Sequence, residues 1–370
     1  MTFLTLLSFP KATSHLKSLA LCAGLSALLL ARSSGVGESA ELPGYDRFDI
    51  QAGHRGTLVQ GSVWYPAGSR TYAVPVGDAP LFHGTRALIG PRIAEGQFPL
   101  VVLSHGSGGN MDNLGWLSSE LALRGAMVLA VNHPGSTSGD SSPRRSARFS
   151  DRVKDLSAAL DLLLNDPEFG PKVDRSQVYS LGFSLGGSAA LQSIGLQLKA
   201  EKIGDYCADN PTAPGCDFYG KGGVDFRNVD FKFTDGDYGD PRFTGTIAVD
   251  PGWPYAFTKE SVSQMEKPVL LINLGNQETL PEMVNVGEKG SGLANVLPNA
   301  AHMEIAPAAH FSFLALCKDK ARFILKEEGE DPICDDPEGS DRAQVHRQVI
   351  DAVSRFLELN GAREGRQGLY

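Results

Sequence analysis

The sequence predicts an α/β fold with a mostly parallel central sheet and helices on both faces. Three observations carry this expectation. Continuous apolar runs recur at residues 100–104, 127–131, 178–181 and 268–273, as strands buried on both faces require. Helical segments lie between them. One spans 113–124 and closes at Gly125; the other spans 151–165 and sets Val153, Leu156, Ala159, Leu160 and Leu163 on one face. Finally, the run 178–181 leads through Gly182-Phe183-Ser184-Leu185-Gly186 into a helical stretch at 187–192. Strand, G-x-S-x-G, helix is the setting of a sharp turn that lifts a serine hydroxyl above the edge of a sheet.

The elements follow in order. Residues 47–50 and 58–65 read as opening strands, paired antiparallel, and 66–97 as a long Pro/Gly-rich connection. Strand 100–104 ends in His105-Gly106-Ser107-Gly108-Gly109-Asn110. That loop has neither the Lys-Ser/Thr ending nor the spacing of a phosphate cradle. Residues 201–240 interrupt the alternation with Asp, Gly, aromatic residues and two cysteines. They read as an inserted region near the site, placed to shape an acyl pocket. Its acidic run 235–240 has Thr246 where a calcium loop starting at Asp235 would need glutamate, so it reads as a solvated loop. Strand 246–249 ends at Asp250-Pro251-Gly252. Strands at 268–273 and 299–305, a loop at 306–312 and an amphipathic helix around 343–350 complete the chain.

A serine at such a turn is a nucleophile only if a base takes its proton and a third group orients the base. In α/β-hydrolases, the folds that carry this elbow, the order is serine, acid, histidine. His302, His310 and His346 follow Ser184. His302 lies within a strand pattern and His346 within a helix pattern. His310 follows the last strand, in a Pro- and Ala-rich loop, and is the expected base. Asp250, at the C-terminal end of an apolar strand, is the expected acid, with Glu278 after the next strand as the alternative. The oxyanion needs two backbone donors. Leu185, following the nucleophile, and Ser107, in the glycine loop, are the candidates. His105 reads as a structural residue of that loop.

The blocks at 98–106, Asn132-His133-Pro134-Gly135, 182–187 and 247–251 resemble plasma-type platelet-activating-factor acetylhydrolases. They resemble still more the bacterial predicted dienelactone hydrolases, over roughly residues 45–360. The resemblance implies an α/β-hydrolase fold and serine esterase activity without a cofactor. It places the acid on Asp250 rather than Glu278, the base on His310 and the oxyanion donors on Ser107 and Leu185. True dienelactone hydrolases use a cysteine nucleophile where this chain has Ser184, so the resemblance names no substrate.

Lys11 and Lys17 precede an apolar run at 19–30, and small residues follow to Ala40. Residues 1–40 read as a cleaved secretory signal and 41–370 as a single domain. Leu21 before Cys22 does not suit lipidation, so no stable membrane anchor is expected. The signal carries three cations and one anion, so its removal takes the net charge from −9 to −11. That acidity argues against nucleic acid and anionic lipid partners. Cys207, Cys216, Cys317 and Cys334 remain. An even number in an exported chain suggests disulfides, and local closure favours Cys207–Cys216 and Cys317–Cys334. The spacings do not match a zinc site. The expectation is a periplasmic or secreted bacterial serine hydrolase that cleaves a small-molecule or lipid-like ester. The rivals are an amidase or peptidase with the same machinery and a non-catalytic binding protein on the same fold.

Overall fold

The chain opens with an antiparallel pair, β1 (Gly44–Ile50) and β2 (Val59–Tyr65), as its sequence suggests. The structure, a computed structural model, describes residues 42–228, 233–278 and 280–359. The segment read as a signal, 1–40, lies outside them. All described residues fall in one compact unit.

Residues 66–97 are not the featureless connection that their Pro and Gly content suggested. They hold β3 (Ala73–Val76) and β4 (Thr85–Ile89), which pair antiparallel and widen the sheet at one edge. Pro75 interrupts the pattern that would announce a strand. It is tolerated because β3 is the outermost strand and a proline there forfeits no interior ladder bond.

The centre is six parallel strands: β5 (Phe98–Ser104), β6 (Met127–Asn132), β9 (Val173–Phe183), β10 (Gly245–Val249), β11 (Val269–Leu274) and β12 (Ala300–Ile305). A two-residue hairpin, β7 (Ser136–Thr137) and β8 (Asp140–Ser141), stands apart. The full sheet runs β12-β11-β10-β9-β5-β6-β2-β1-β4-β3. From β5 the chain builds outward through β6 on one side; from β9 it builds outward through β10 on the other. The strand order therefore reverses between β5 and β9, and a crevice opens beyond their C-terminal ends.

The period-2 alternation of β5 divides the core in two. Leu100 and Val102 face α3 (Phe149–Asn165) and α4 (Leu185–Ser193); Val101 and Leu103 face α1 (Gly115–Leu123) and α10 (Arg342–Phe356). On α3, Val153, Leu156, Ala159, Leu160 and Leu163 are all fully buried, the face that the sequence period marked. Burial of each leucine or valine stabilises by about 1.5–3 kcal/mol. Short helices α2 (Pro143–Ser146), α7 (Lys259–Ser263), α8 (Leu293–Val296) and α9 (Ala321–Glu328) fill connections.

The inserted region is more ordered than its composition suggested. It contains α5 (Ala200–Asp209) and α6 (Pro214–Lys221), joined by the Cys207–Cys216 disulfide with Cα atoms 5.2 Å apart. Asp235 accepts from Ala200 N at 2.8 Å, at the start of α5. The second disulfide, Cys317–Cys334, has its Cα atoms 5.9 Å apart and ties the segment after β12 to the loop after α9. Both pairings are those favoured by local closure.

Candidate active site

Ser184 joins β9 to α4 with φ 55° and ψ −122°, in the left-handed half of backbone space. Such a conformation costs a non-glycine residue on the order of 1–3 kcal/mol. Backbone bonds hold it. Ser184 N donates to Val249 O at 2.9 Å, while its carbonyl accepts from Gly187 N at 2.9 Å and Gly252 N at 2.9 Å. The flanking glycines are steric requirements. A Cβ on Gly182 would strike the Gly186 carbonyl, and one on Gly186 would strike the Ser104 carbonyl.

Two further non-glycine residues with positive φ, Asp250 at 42° and Trp253 at 57°, sit just beyond the end of β10. The turn brings the Asp250 carboxylate beneath His310, the first residue of a 3₁₀ turn (His310–Phe313) that follows β12. His310 Nδ1 lies 2.9 Å from Asp250 Oδ2, and His310 Nε2 lies 3.1 Å from Ser184 Oγ. Asp250 is fully buried, and its Oδ1 accepts from Asn273 Nδ2 and Leu274 N, each at 2.9 Å. A carboxylate that accepts from every side requires a proton on His310 Nδ1. That leaves Nε2 free to accept from the Ser184 hydroxyl. The imidazole also rests on Phe183, with ring centroids 4.6 Å apart.

The other sequence candidates are elsewhere. Glu278 is exposed and paired with Lys289. His302 sits on β12 and reaches Asn273 Oδ1 at 3.3 Å. His346 is buried in α10, stacked on Trp116 at 3.7 Å, and bonds the Ser312 and Leu314 carbonyls. Burial, helped by nearby Arg342, lowers it to about 3 and keeps it neutral. Asn273 was missed by sequence reasoning. It stands near the end of β11, and its side-chain amide donates to Asp250 Oδ1.

The Leu185 and Ser107 N–H groups have no hydrogen-bond partner among the described residues. Leu185 opens α4, so its N–H is one of the free donors of a helix N-terminus. Gly252 leaves the space above it open: a Cβ there would lie 3.7 Å from Leu185 N. Ser107 is exposed on the loop beyond β5. That loop packs on the serine through Gly106, whose Cβ position is 3.2 Å from Ser184 Cβ. On the other flank, Trp253 carries the inserted region, with Tyr206 and Phe226 rings at 6.3 and 6.2 Å. Among the described residues no group of three or more His, Cys, Asp or Glu is arranged to hold a metal ion.

The family model for the Alpha/beta hydrolase family matches residues 101–349, two thirds of the chain. The chain belongs to the alpha/beta hydrolase family. Among solved structures it is similar to a ferulic acid esterase from Streptomyces cinnamoneus, with a TM-score of 0.57 and 19% identity over 87% of this chain and 93% of that one. A dienelactone hydrolase from Anabaena variabilis aligns with a TM-score of 0.45 and 13% identity, over 85% of this chain and 98% of that one. At 19% identity the likeness to the esterase is one of fold. No curated protein matches the chain.

Proposed function

We propose that this protein is an exported serine hydrolase that cleaves carboxylic esters through an acyl-enzyme. The reading rests above all on the continuous hydrogen-bonded line from Ser184 through His310 to Asp250, at an elbow that opens on the crevice between β5 and β9. Ser184 Oγ attacks the ester carbonyl carbon as its proton passes to His310 Nε2. The carbonyl oxygen becomes an oxyanion held by the Leu185 and Ser107 N–H groups. Asp250 keeps Nδ1–H in place and offsets the charge of the imidazolium. When the tetrahedral adduct collapses, the C–O bond to the alcohol breaks and His310 returns the proton to the leaving oxygen. Water, deprotonated by His310, attacks the acyl carbon; the acid leaves and Ser184 regains its hydrogen. No step needs a metal or cofactor.

Two disulfides support an oxidising, exported setting. No helix among the described residues is long and apolar enough to cross a membrane.

The experiment is reaction with a fluorophosphonate, followed by a hydrolysis screen of esters graded by acyl length with matched amides. Covalent labelling at Ser184 is expected, with ester turnover exceeding amide turnover. Ser184→Ala should neither label nor turn over, with kcat falling on the order of 10⁴-fold or more. A folded preparation that does not label would make the protein a binder on a hydrolase fold. Retained activity in Ser184→Ala would move the nucleophile elsewhere.

A further inference from the structure

Beneath the loop that offers Ser107 lies a second Ser–His–Asp line. Ser104 Oγ is 2.8 Å from His133 Nε2, and His133 Nδ1 is 2.8 Å from Asp155 Oδ2. Its bonds match those of the open site, yet all three residues are fully buried. Asp155 is also gripped by Arg55, with bonds of 2.8 and 2.6 Å. Ser104 Oγ accepts a bond from Arg152 Nη1 at 3.2 Å, which turns its hydrogen toward His133. A serine sealed in this way meets no substrate, so the line calls for another role.

Arg152 indicates the role. Its guanidinium is buried, and three of its bonds end on one stretch of chain: Ser104 Oγ, the His105 carbonyl at 2.8 Å and the Gly106 carbonyl at 3.2 Å. A fourth reaches Ser136 Oγ at 3.0 Å. Burying a guanidinium costs several kcal/mol, and an apolar side chain would fill the same space without that cost. His105 adds a donor. Its Nε2 accepts from His133 N at 3.2 Å, so its proton is on Nδ1, which donates to the Gly106 carbonyl at 2.6 Å. Gly109 N donates to the same oxygen at 3.3 Å. Three donors from three directions therefore clamp one carbonyl. That carbonyl and the Ser107 N–H belong to one planar trans peptide and point in opposite directions. Holding the oxygen inward holds the hydrogen outward, on the side of the crevice.

We propose that Arg152 and His105 are positioning residues that aim the Ser107 N–H at the oxyanion by clamping the Gly106 carbonyl. The sealed Ser104–His133–Asp155 line is their anchor, not a second reaction centre. The clamp acts on a donor that matters only once charge develops, so it should govern kcat rather than KM. The inference rests on the ester hydrolysis proposed above.

The test compares His105→Asn, whose amide nitrogen can replace the Nδ1 donor, with His105→Gln, whose amide lies nearer the Nε2 position. Arg152→Lys is the third variant. Each is first checked for folding by circular dichroism and for Ser184 reactivity with fluorophosphonate. His105→Gln should lose on the order of 10²–10³-fold in kcat with KM within about threefold. His105→Asn should stand at least about tenfold above it. Arg152→Lys should lose about tenfold or more in kcat, and affinity for an alkyl boronic acid, which mimics the oxyanion, should fall by the same factor. A structural role alone would leave the Asn–Gln difference and the boronate parallel absent. Folded variants with kcat within about threefold of the parent would overturn the proposal, as would losses confined to KM or equal effects of Asn and Gln. Failure of all three to fold would count against it as well, because it requires a folded enzyme with a misaimed peptide. A parent that neither labels nor turns over esters would sink the reaction and this inference together. A parent that does both while the variants match it sinks the inference alone.

Discussion

Asp250 shows how a single backbone angle places a carboxylate. Its φ of 42° swings the carboxylate back over the end of β11, where Asn273 and the Leu274 amide meet it and His310 closes the third side. Glu278, beyond the end of β11, points to solvent and Lys289. Asp250→Asn should therefore lower kcat on the order of 10³–10⁴-fold, because the amide can donate to His310 and impose the wrong tautomer. Glu278→Gln should leave kcat within about twofold, since an exposed ion pair contributes little. Steady-state kinetics on both variants decide the matter, and a reversed outcome would transfer the acid to the later strand.

At the scale of elements, the question is what holds the 3₁₀ turn His310–Phe313 in place. The turn has little structure of its own and borrows rigidity from its neighbours. Trp116 Nε1 on α1 donates to the Phe313 carbonyl at 3.1 Å, and His346 on α10 bonds the Ser312 carbonyl at 3.1 Å. Arg342 reaches the Ala315 carbonyl at 3.2 Å. Cys317, a few residues on, is tied to Cys334. The two disulfides span sequence separations of 9 and 17. In the chain-entropy description each stabilises by about 2.5–3 kcal/mol. Replacing either pair with serines should lower the melting temperature. Only the Cys317/Cys334 replacement should also lower kcat, because it alone restrains the strand-to-helix segment that bears His310. Thiol counting on the denatured protein comes first: four free thiols would refute both bridges and weaken the argument for export.

For the molecule as a whole, three buried histidines set the response to acid. Burial, with Arg152 beside them, pushes His105 well below its ordinary value and His133 to about 3; burial and Arg342 push His346 to about 3. In the unfolded chain each would titrate near 6.5. Below that value the unfolded state binds protons that the folded state refuses, so stability is present above about pH 6.5 and declines as pH falls toward the folded values. Asp155, whose carboxyl is held low by His133, His54 and Arg55, adds a loss at still lower pH. At full effect each histidine contributes about 1.4 kcal/mol per pH unit. The melting temperature should drop steadily from pH 7 to pH 5. A flat profile over that range would mean that these side chains are protonated in the folded protein.

Local information sufficed wherever a pattern was regular. The apolar runs of β5, β6, β9, β10 and β11 and the one-sided face of α3 follow from periodicities that any segment carries within itself. The elbow was legible for the same reason: its glycines are required by contacts within a few residues, such as Gly182 against Gly186. Short cysteine separations likewise limited the disulfides to near neighbours. What only the tertiary structure decided depends on residues distant in sequence. β3 and β4 became strands because the sheet edge offered partners, against weak local preference. Asn273 and Asp250 lie 23 residues apart, and Arg152 and Gly106 lie 46 apart. Neither bond has a signature in spacing, because one forms only when parallel strands bring their C-terminal ends together and the other only when α3 packs on the loop after β5.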